Sequence, residues 1–141
     1  MWGVGAIMFT SQTTGVEVVA VTASLAMVSL DCPDPQALAA FYAELLGWKV
    51  AASEHEYAMI TDEGSAPIGF GRVEGYTAPE WSPDSADAKR YHLDFYVDDL
   101  DGGEARALEL GATKPEFQPD PGWRVLLDPA GHPFCLCVRR G

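Results

Sequence analysis

The chain carries one pattern twice. Residues 26–48 read AMVSLDCPDPQALAAFYAELLGW and residues 91–112 read YHLDFYVDDLDGGEARALELGA; aligning Asp34 with Asp99 sets an offset of 65 residues. Met27 then falls on His92, Val28 on Leu93 and Leu30 on Phe95. With one further residue inserted, TDEGSAPIGF at 61–70 falls on LDPAGHPFCL at 127–136, which places Gly69 on Cys135 and Phe70 on Leu136. A duplication of this kind commits the chain to two like modules before any single residue is considered.

The pattern inside each copy is that of a strand feeding a helix. Leu93, Phe95 and Val97 alternate with His92, Asp94 and Tyr96, the period of a strand that buries one face. In the first copy Asp34 is the expected N-cap and Pro35 sits at the first helical position, where its missing N–H costs nothing. Leu38, Phe41, Tyr42, Leu45 and Leu46 then form an apolar stripe on one helical face. In the second copy Asp98, Asp99 and Asp101 are the candidate caps, and Gly47 and Gly111 are placed to close the two helices. Strands are expected at 48–52, 56–61 and 68–73, and again at 112–114, 123–128 and 133–139, with prolines 115, 119 and 121 stiffening the loop between.

The expected fold is α+β: two tandem βαβββ modules forming a curved eight-stranded half-barrel pair with helices outside. Residues 1–24 read as a leader with an extra edge strand at 16–21, 25–73 as the first module, 74–90 as a linker and 91–141 as the second module.

Nine basic against twenty-one acidic side chains give a net charge of −12, which argues against nucleic acid or an anionic membrane surface as partner and favours a cationic ligand. No apolar run approaches the ~18 residues of a membrane span. Cys135 and Cys137, two apart on one strand, are poorly placed to bridge each other, so the cysteines read as reduced thiols of a cytoplasmic protein.

Each helical stripe needs an apolar strand face to cover: Ala26, Val28 and Leu30 in one module, Leu93, Phe95 and Val97 in the other. The opposite faces then carry Met27 and Ser29, and His92, Asp94 and Tyr96. Cys135 and Cys137 share that open side with Gly69 and Gly71 as counterparts. Trp123 is expected at the rim, Trp81 against a partner subunit or the surface of its own domain, and His55 and His132, both in turns, at the surface.

The paired modules, the stretches DPQALAAFY with LGW and HLDFYVDDL, and the turn DPAGHPF resemble the vicinal oxygen chelate superfamily over residues 25–139. That superfamily includes glyoxalase I, extradiol dioxygenases and bleomycin-resistance proteins. The resemblance implies four metal-ligand positions, which map to Met27, Gly69, His92 and Cys135. Only His92 and Cys135 carry groups suited to ligate, whereas a catalytic zinc site uses three protein ligands. The expectation is therefore a glyoxalase-like protein needing no cofactor. It binds a small organic, cationic or aromatic molecule, bleomycin-resistance-like, among Met27, Ser29, His92, Asp94, Tyr96, Trp123 and Cys135, and is a homodimer as relatives are. The alternative is a lyase, isomerase or dioxygenase of the superfamily in which His92 is the catalytic residue, with a divalent metal on His92 and Cys135.

Overall fold

The computed structural model describes residues 24–81 and 92–139. Within them the order is β1 (Val28–Cys32), α1 (Pro35–Leu46), β2 (Lys49–Ser53), β3 (Tyr57–Thr61), β4 (Ile68–Arg72), β5 (Leu93–Val97), α2 (Leu100–Leu110), β6 (Arg124–Leu127) and β7 (Pro133–Val138). The extra strand expected at 16–21 and the linker from 82 to 90 lie outside the described residues.

The duplication holds down to hydrogen-bond register. β1 runs parallel to β4 with Val28 opposite Ile68 and Ser29 opposite Gly69. β5 runs parallel to β7 with Leu93 opposite Phe134 and Asp94 opposite Cys135, the same pairs carried along by the sequence offsets. The caps repeat as well: Asp34 accepts from the N–H of Ala37 at 3.2 Å and Asp99 from that of Gly102 at 2.7 Å, each satisfying an orphan donor of the first turn. Gly47 (φ 72°) and Gly111 (φ 119°) close the helices in the left-handed region.

The sheets are unequal. The first is four-stranded in the order β1-β4-β3-β2, and the second has three strands in the order β5-β7-β6. The fourth strand expected at 112–114 is reduced to a single bridge between Thr113 and Leu127, so the described residues hold seven strands rather than eight. The cause is visible beside β6. Past Thr113 the chain meets Pro115, Pro119 and Pro121, and proline cannot donate to a ladder. Gln118 takes the strand's place: its amide oxygen accepts from the N–H of Val125 at 2.9 Å, and its nitrogen donates to the carbonyl of Val125 at 2.9 Å.

One core joins the modules. α1 buries Leu38, Ala39, Phe41, Tyr42 and Ala43, and the rings of Phe41 and Tyr42 meet Phe134 of the second sheet at 5.9 and 6.1 Å. Tyr42 also stacks on Phe70 at 5.8 Å and packs against Phe95 at 6.0 Å. Burying rings of this size contributes roughly 1.5–3 kcal/mol each, so the aromatic cluster dominates the attachment of one module to the other. Ala26, expected on the covered face, is exposed, because β1 begins only at Val28.

Candidate functional site

The chemistry-bearing residues of the second sheet meet at the start of β5. Strand alternation sends His92 and Asp94 to one side, and the carboxylate Oδ1 of Asp94 lies 3.0 Å from Nδ1 of His92. Cys135, opposite Asp94 in register, brings its Sγ to 3.8 Å from the same Nδ1. These three donor atoms lie within 4.8 Å of one another. A nucleophilic relay needs thiol and carboxylate on opposite ring nitrogens. Here both approach Nδ1, so Cys135 is not poised as a nucleophile activated by His92. Although strand alternation places Cys135 on the open side, only 3% of it is exposed. Burial, with a smaller contribution from Asp94, pushes the Cys137 thiol above its ordinary range, which disfavours its thiolate.

At the matching place in the first sheet the arrangement is different. Gly69 is buried between Met27 and Tyr57: a Cβ built on it would come within 2.8 Å of the Met27 sulfur and 3.0 Å of the Tyr57 hydroxyl. The Tyr57 hydroxyl meets that sulfur at 3.6 Å. A thioether and a phenol therefore fill the space where a ligating side chain at residue 69 would stand.

Among the described residues β1 pairs only with β4 and β5 only with β7, so each is an outer strand of its described sheet. A cavity of about 410 Å³ is lined by β1 residues Val28, Ser29 and Leu30, by His92 and Leu93 at the start of β5, and by Tyr42, Pro79, His132 and Pro133. Its volume falls in the range of small-molecule sites, and its walls are mainly apolar with a few polar groups, as such sites require. Of the residues expected to bind ligand, Ser29 and His92 line it; Met27, Asp94, Tyr96, Trp123 and Cys135 do not.

His132 departs from its expected place at the surface. Its side chain is 17% exposed, its Nδ1 is 3.0 Å from Oδ2 of Asp128, and its Nε2 is 3.2 Å from the Tyr76 hydroxyl. Asp128 is buried and accepts from the Tyr42 hydroxyl at 2.7 Å, the N–H of Ala130 at 2.8 Å and the N–H of His132 at 3.0 Å. Tyr76 donates to the carbonyl of Ala130 at 2.8 Å. Burial, then the Asp128 charge, pushes the Tyr76 hydroxyl up to about 12 and holds Tyr42 well above its ordinary value. This network ties α1, the residues after β4 and the turn before β7 together. A signal for it stood in the sequence: at the same offset Tyr42 falls on Ala107, so only one of the two related turns has a phenol to meet.

His55 is exposed as expected, with 78% of its side chain accessible. Tyr96 is 62% exposed and lies under the Arg139 guanidinium, whose carbon is 4.4 Å from the ring centroid. Trp123 is half-buried at the foot of β6. Trp81 lies on its own domain, its indole 6.1 Å from the ring of Phe117 and donating to the Phe117 carbonyl at 3.3 Å.

A profile of the Glyoxalase-like domain family matches residues 27–137. Among solved structures, a glyoxalase/bleomycin resistance protein/dioxygenase family enzyme from Burkholderia phytofirmans superposes with TM-score 0.58 at 23% identity, covering 81% of this chain and 97% of that one. A possible glyoxalase from Bacillus cereus gives 0.60 at 14% identity over 82% and 98% of the two chains. A lactoylglutathione lyase from Agrobacterium tumefaciens gives 0.53 at 17% identity over 80% and 91%. At these identities the likeness is one of fold. A search of curated proteins returned no match. The family profile spans both copies of the duplicated pattern, and the chain belongs to the Glyoxalase-like domain family of the vicinal oxygen chelate superfamily.

Proposed function

We propose that this protein binds a small organic molecule in the cavity between β1 and β5 and does so without a metal ion. The observation that carries this reading is the state of the four positions at which the superfamily's metal enzymes hold ligands. Met27 and Gly69 are packed against each other with Tyr57, and neither offers an oxygen or nitrogen donor. A cage spanning both modules is missing one whole side. His92 instead joins the wall of a cavity of about 410 Å³ that is large enough for a compact ligand. Among the described residues no carboxylate lines that cavity, so they do not supply the cationic preference suggested by the net charge.

A second reading has one observation in its favour. His92, Asp94 and Cys135 together supply nitrogen, oxygen and sulfur donors, three ligands with a fourth position open, the composition of a catalytic zinc site. Zinc–ligand bonds of ~2.0–2.3 Å put neighbouring donors roughly 3.3–3.6 Å apart. The 3.8 Å N···S separation is close to that, while the 3.0 Å N···O contact is shorter and would have to open. Asp94 is exposed enough to swing. In that case His92 would anchor a metal-dependent lyase, isomerase or dioxygenase of the superfamily.

Metal analysis of protein purified without chelator, followed by titration with Zn²⁺, Ni²⁺ and Fe²⁺, decides between the two. Substoichiometric metal and no saturable uptake is the expected result. One equivalent of metal that disappears in His92→Ala would overturn the metal-free reading and establish the second. The reading extends to a homodimer, for which the edge of β2, unpaired among the described residues and with Val50 49% exposed, offers a surface; light scattering on the purified chain measures it.

A further inference from the structure

The walls of the cavity are not held alike. β1 is fixed by its parallel ladder with β4, and β5 by its ladder with β7. Tyr42 is buried in α1, and the turn that carries His132 is closed by Asp128, whose carbonyl accepts from the N–H of Gly131 at 2.8 Å and whose carboxylate accepts from that of His132 at 3.0 Å. Pro79 belongs to a different kind of structure. It lies in residues 76–81, a segment without helix or strand that follows β4 and reaches across to the second module.

Side chains hold this strap down. The Tyr76 hydroxyl donates to the carbonyl of Ala130 at 2.8 Å and lies 3.2 Å from Nε2 of His132. Ala78 rests on Gly131, since a Cβ at residue 131 would come within 2.6 Å of the Ala78 Cβ. The Trp81 indole donates to the carbonyl of Phe117 at 3.3 Å. Residues 76–79 make no backbone–backbone hydrogen bond among the described residues, and 77–80 are exposed. Just before the strap, Gly75 stands in the left-handed region at φ 69°, and a Cβ there would meet nothing within 4 Å. A glycine in open space changes φ at little cost, as a pivot must.

Resting on the binding reading above, we infer that residues 76–81 are the gate of the cavity: the strap swings on Gly75, and the ligand enters and leaves while Pro79 is lifted from the wall. Parting β1 from β4, or β5 from β7, breaks a ladder of backbone hydrogen bonds. Lifting the strap breaks the hydroxyl contacts of Tyr76, the indole bond of Trp81 and the packing of Ala78, which makes it the opening of lower free energy. Tyr76 and Trp81 are not among the residues lining the cavity, so they act as latches that hold the strap equally with and without ligand. Loosening a latch raises the open population by the same factor in the free and the loaded protein. Entry and escape then speed up together, and affinity stays as it was.

The test follows binding of the neutral fluorophore N-phenyl-1-naphthylamine to the intact chain by stopped flow, in the wild type, Tyr76→Phe and Trp81→Phe. Each variant keeps an aromatic ring and loses its hydrogen-bond donor, a change that shifts the closed-to-open ratio by about two- to tenfold. The expected result is that the association and dissociation rate constants both rise by about that factor in each variant, with Kd unchanged. Rates equal to the wild type in the variants, or faster dissociation alone with weaker binding, overturn the gate and leave the cavity as a binding site. Ser29→Trp, at an exposed position of the wall, fills the cavity and should abolish binding. Absence of binding to the wild type, or undiminished binding to Ser29→Trp, overturns the cavity reading together with the gate. The two latches make separate contacts, so a variant that folds poorly leaves the other to decide.

Discussion

Tyr42→Phe removes one oxygen atom from the centre of the molecule and leaves the ring in place. The ring's contacts with Phe41, Phe70, Phe95 and Phe134 survive, so the change isolates the hydroxyl bond to Asp128. That bond is 2.7 Å long, between a tyrosine 1% exposed and an aspartate 3% exposed, and bonds of this kind to a charged group contribute about 1.5–3 kcal/mol. Asp128 keeps its two backbone N–H donors and His132 Nδ1, so it is not stranded, and the cost should fall in the lower half, about 2 kcal/mol. With an unfolding entropy of about 2.1 cal/mol/K per residue, a chain of 141 residues loses roughly 3–4 °C of Tm per kcal/mol, so the midpoint should drop by about 7 °C. Urea unfolding should show the same loss at unchanged m-value. In an Asp128→Ala background the substitution should cost almost nothing, because the hydroxyl there has no acceptor. A loss under about 0.5 kcal/mol in the wild-type background, or an undiminished loss in the Asp128→Ala background, would refute the claim that this bond couples the modules.

Gly69→Ala should destabilise by about 1–3 kcal/mol through overpacking against Met27 and Tyr57; chemical denaturation measures it, and adding Met27→Ala should recover much of the loss. Phe95→Ala should cost about 3 kcal/mol or more, since the ring packs on Tyr42 and Phe134, while His92→Ala, at the edge of the cavity, should stay within about 1 kcal/mol. Reversed costs in the same assay would mean that the two faces of β5 are misassigned. Burial raises the Glu104 carboxyl, but hydrogen bonds and charge from Lys114 and Arg124 outweigh it and hold the group below its ordinary value of 4.5. Its stabilising contribution is therefore complete above that value and is lost as pH falls through the lowered one. Glu104→Gln should flatten the fall in stability below about pH 4.5, and unfolding midpoints measured from pH 6 to pH 3 would show whether it does.

Local features of the fold were legible because the signals that specify them are local. Asp34, Pro35 and Gly47 fix α1 through caps that need only neighbouring backbone. The offset between the copies carries the β1–β4 register onto β5–β7, since register follows from which residues alternate inward. What escaped the sequence depends on side chains far apart along the chain. His132 lies in a turn, and turns usually face water; its burial comes from Asp128 and, through it, from Tyr42, 86 residues away from Asp128. The missing eighth strand was a similar case, because nothing in the spacing of Gln118 announces that its amide will pair with Val125. Ser29 and His92, expected on a concave surface, line the cavity. The expectation that Met27, Asp94, Tyr96, Trp123 and Cys135 share it assumed one continuous cup, whereas the described strands form two separate sheets.

The pairing of Gln118 with Val125 bears on how the molecule behaves in a crowded solution. An outer strand with open amides is a template on which another copy can stack, and such growth has no natural end. Here one side chain occupies the docking positions of residue 125, and the prolines around it cannot donate the bonds a recruited strand would need. Gln118→Ala would uncover that template, and its first consequence should be the appearance of aggregates at concentrations where the parent chain stays clear.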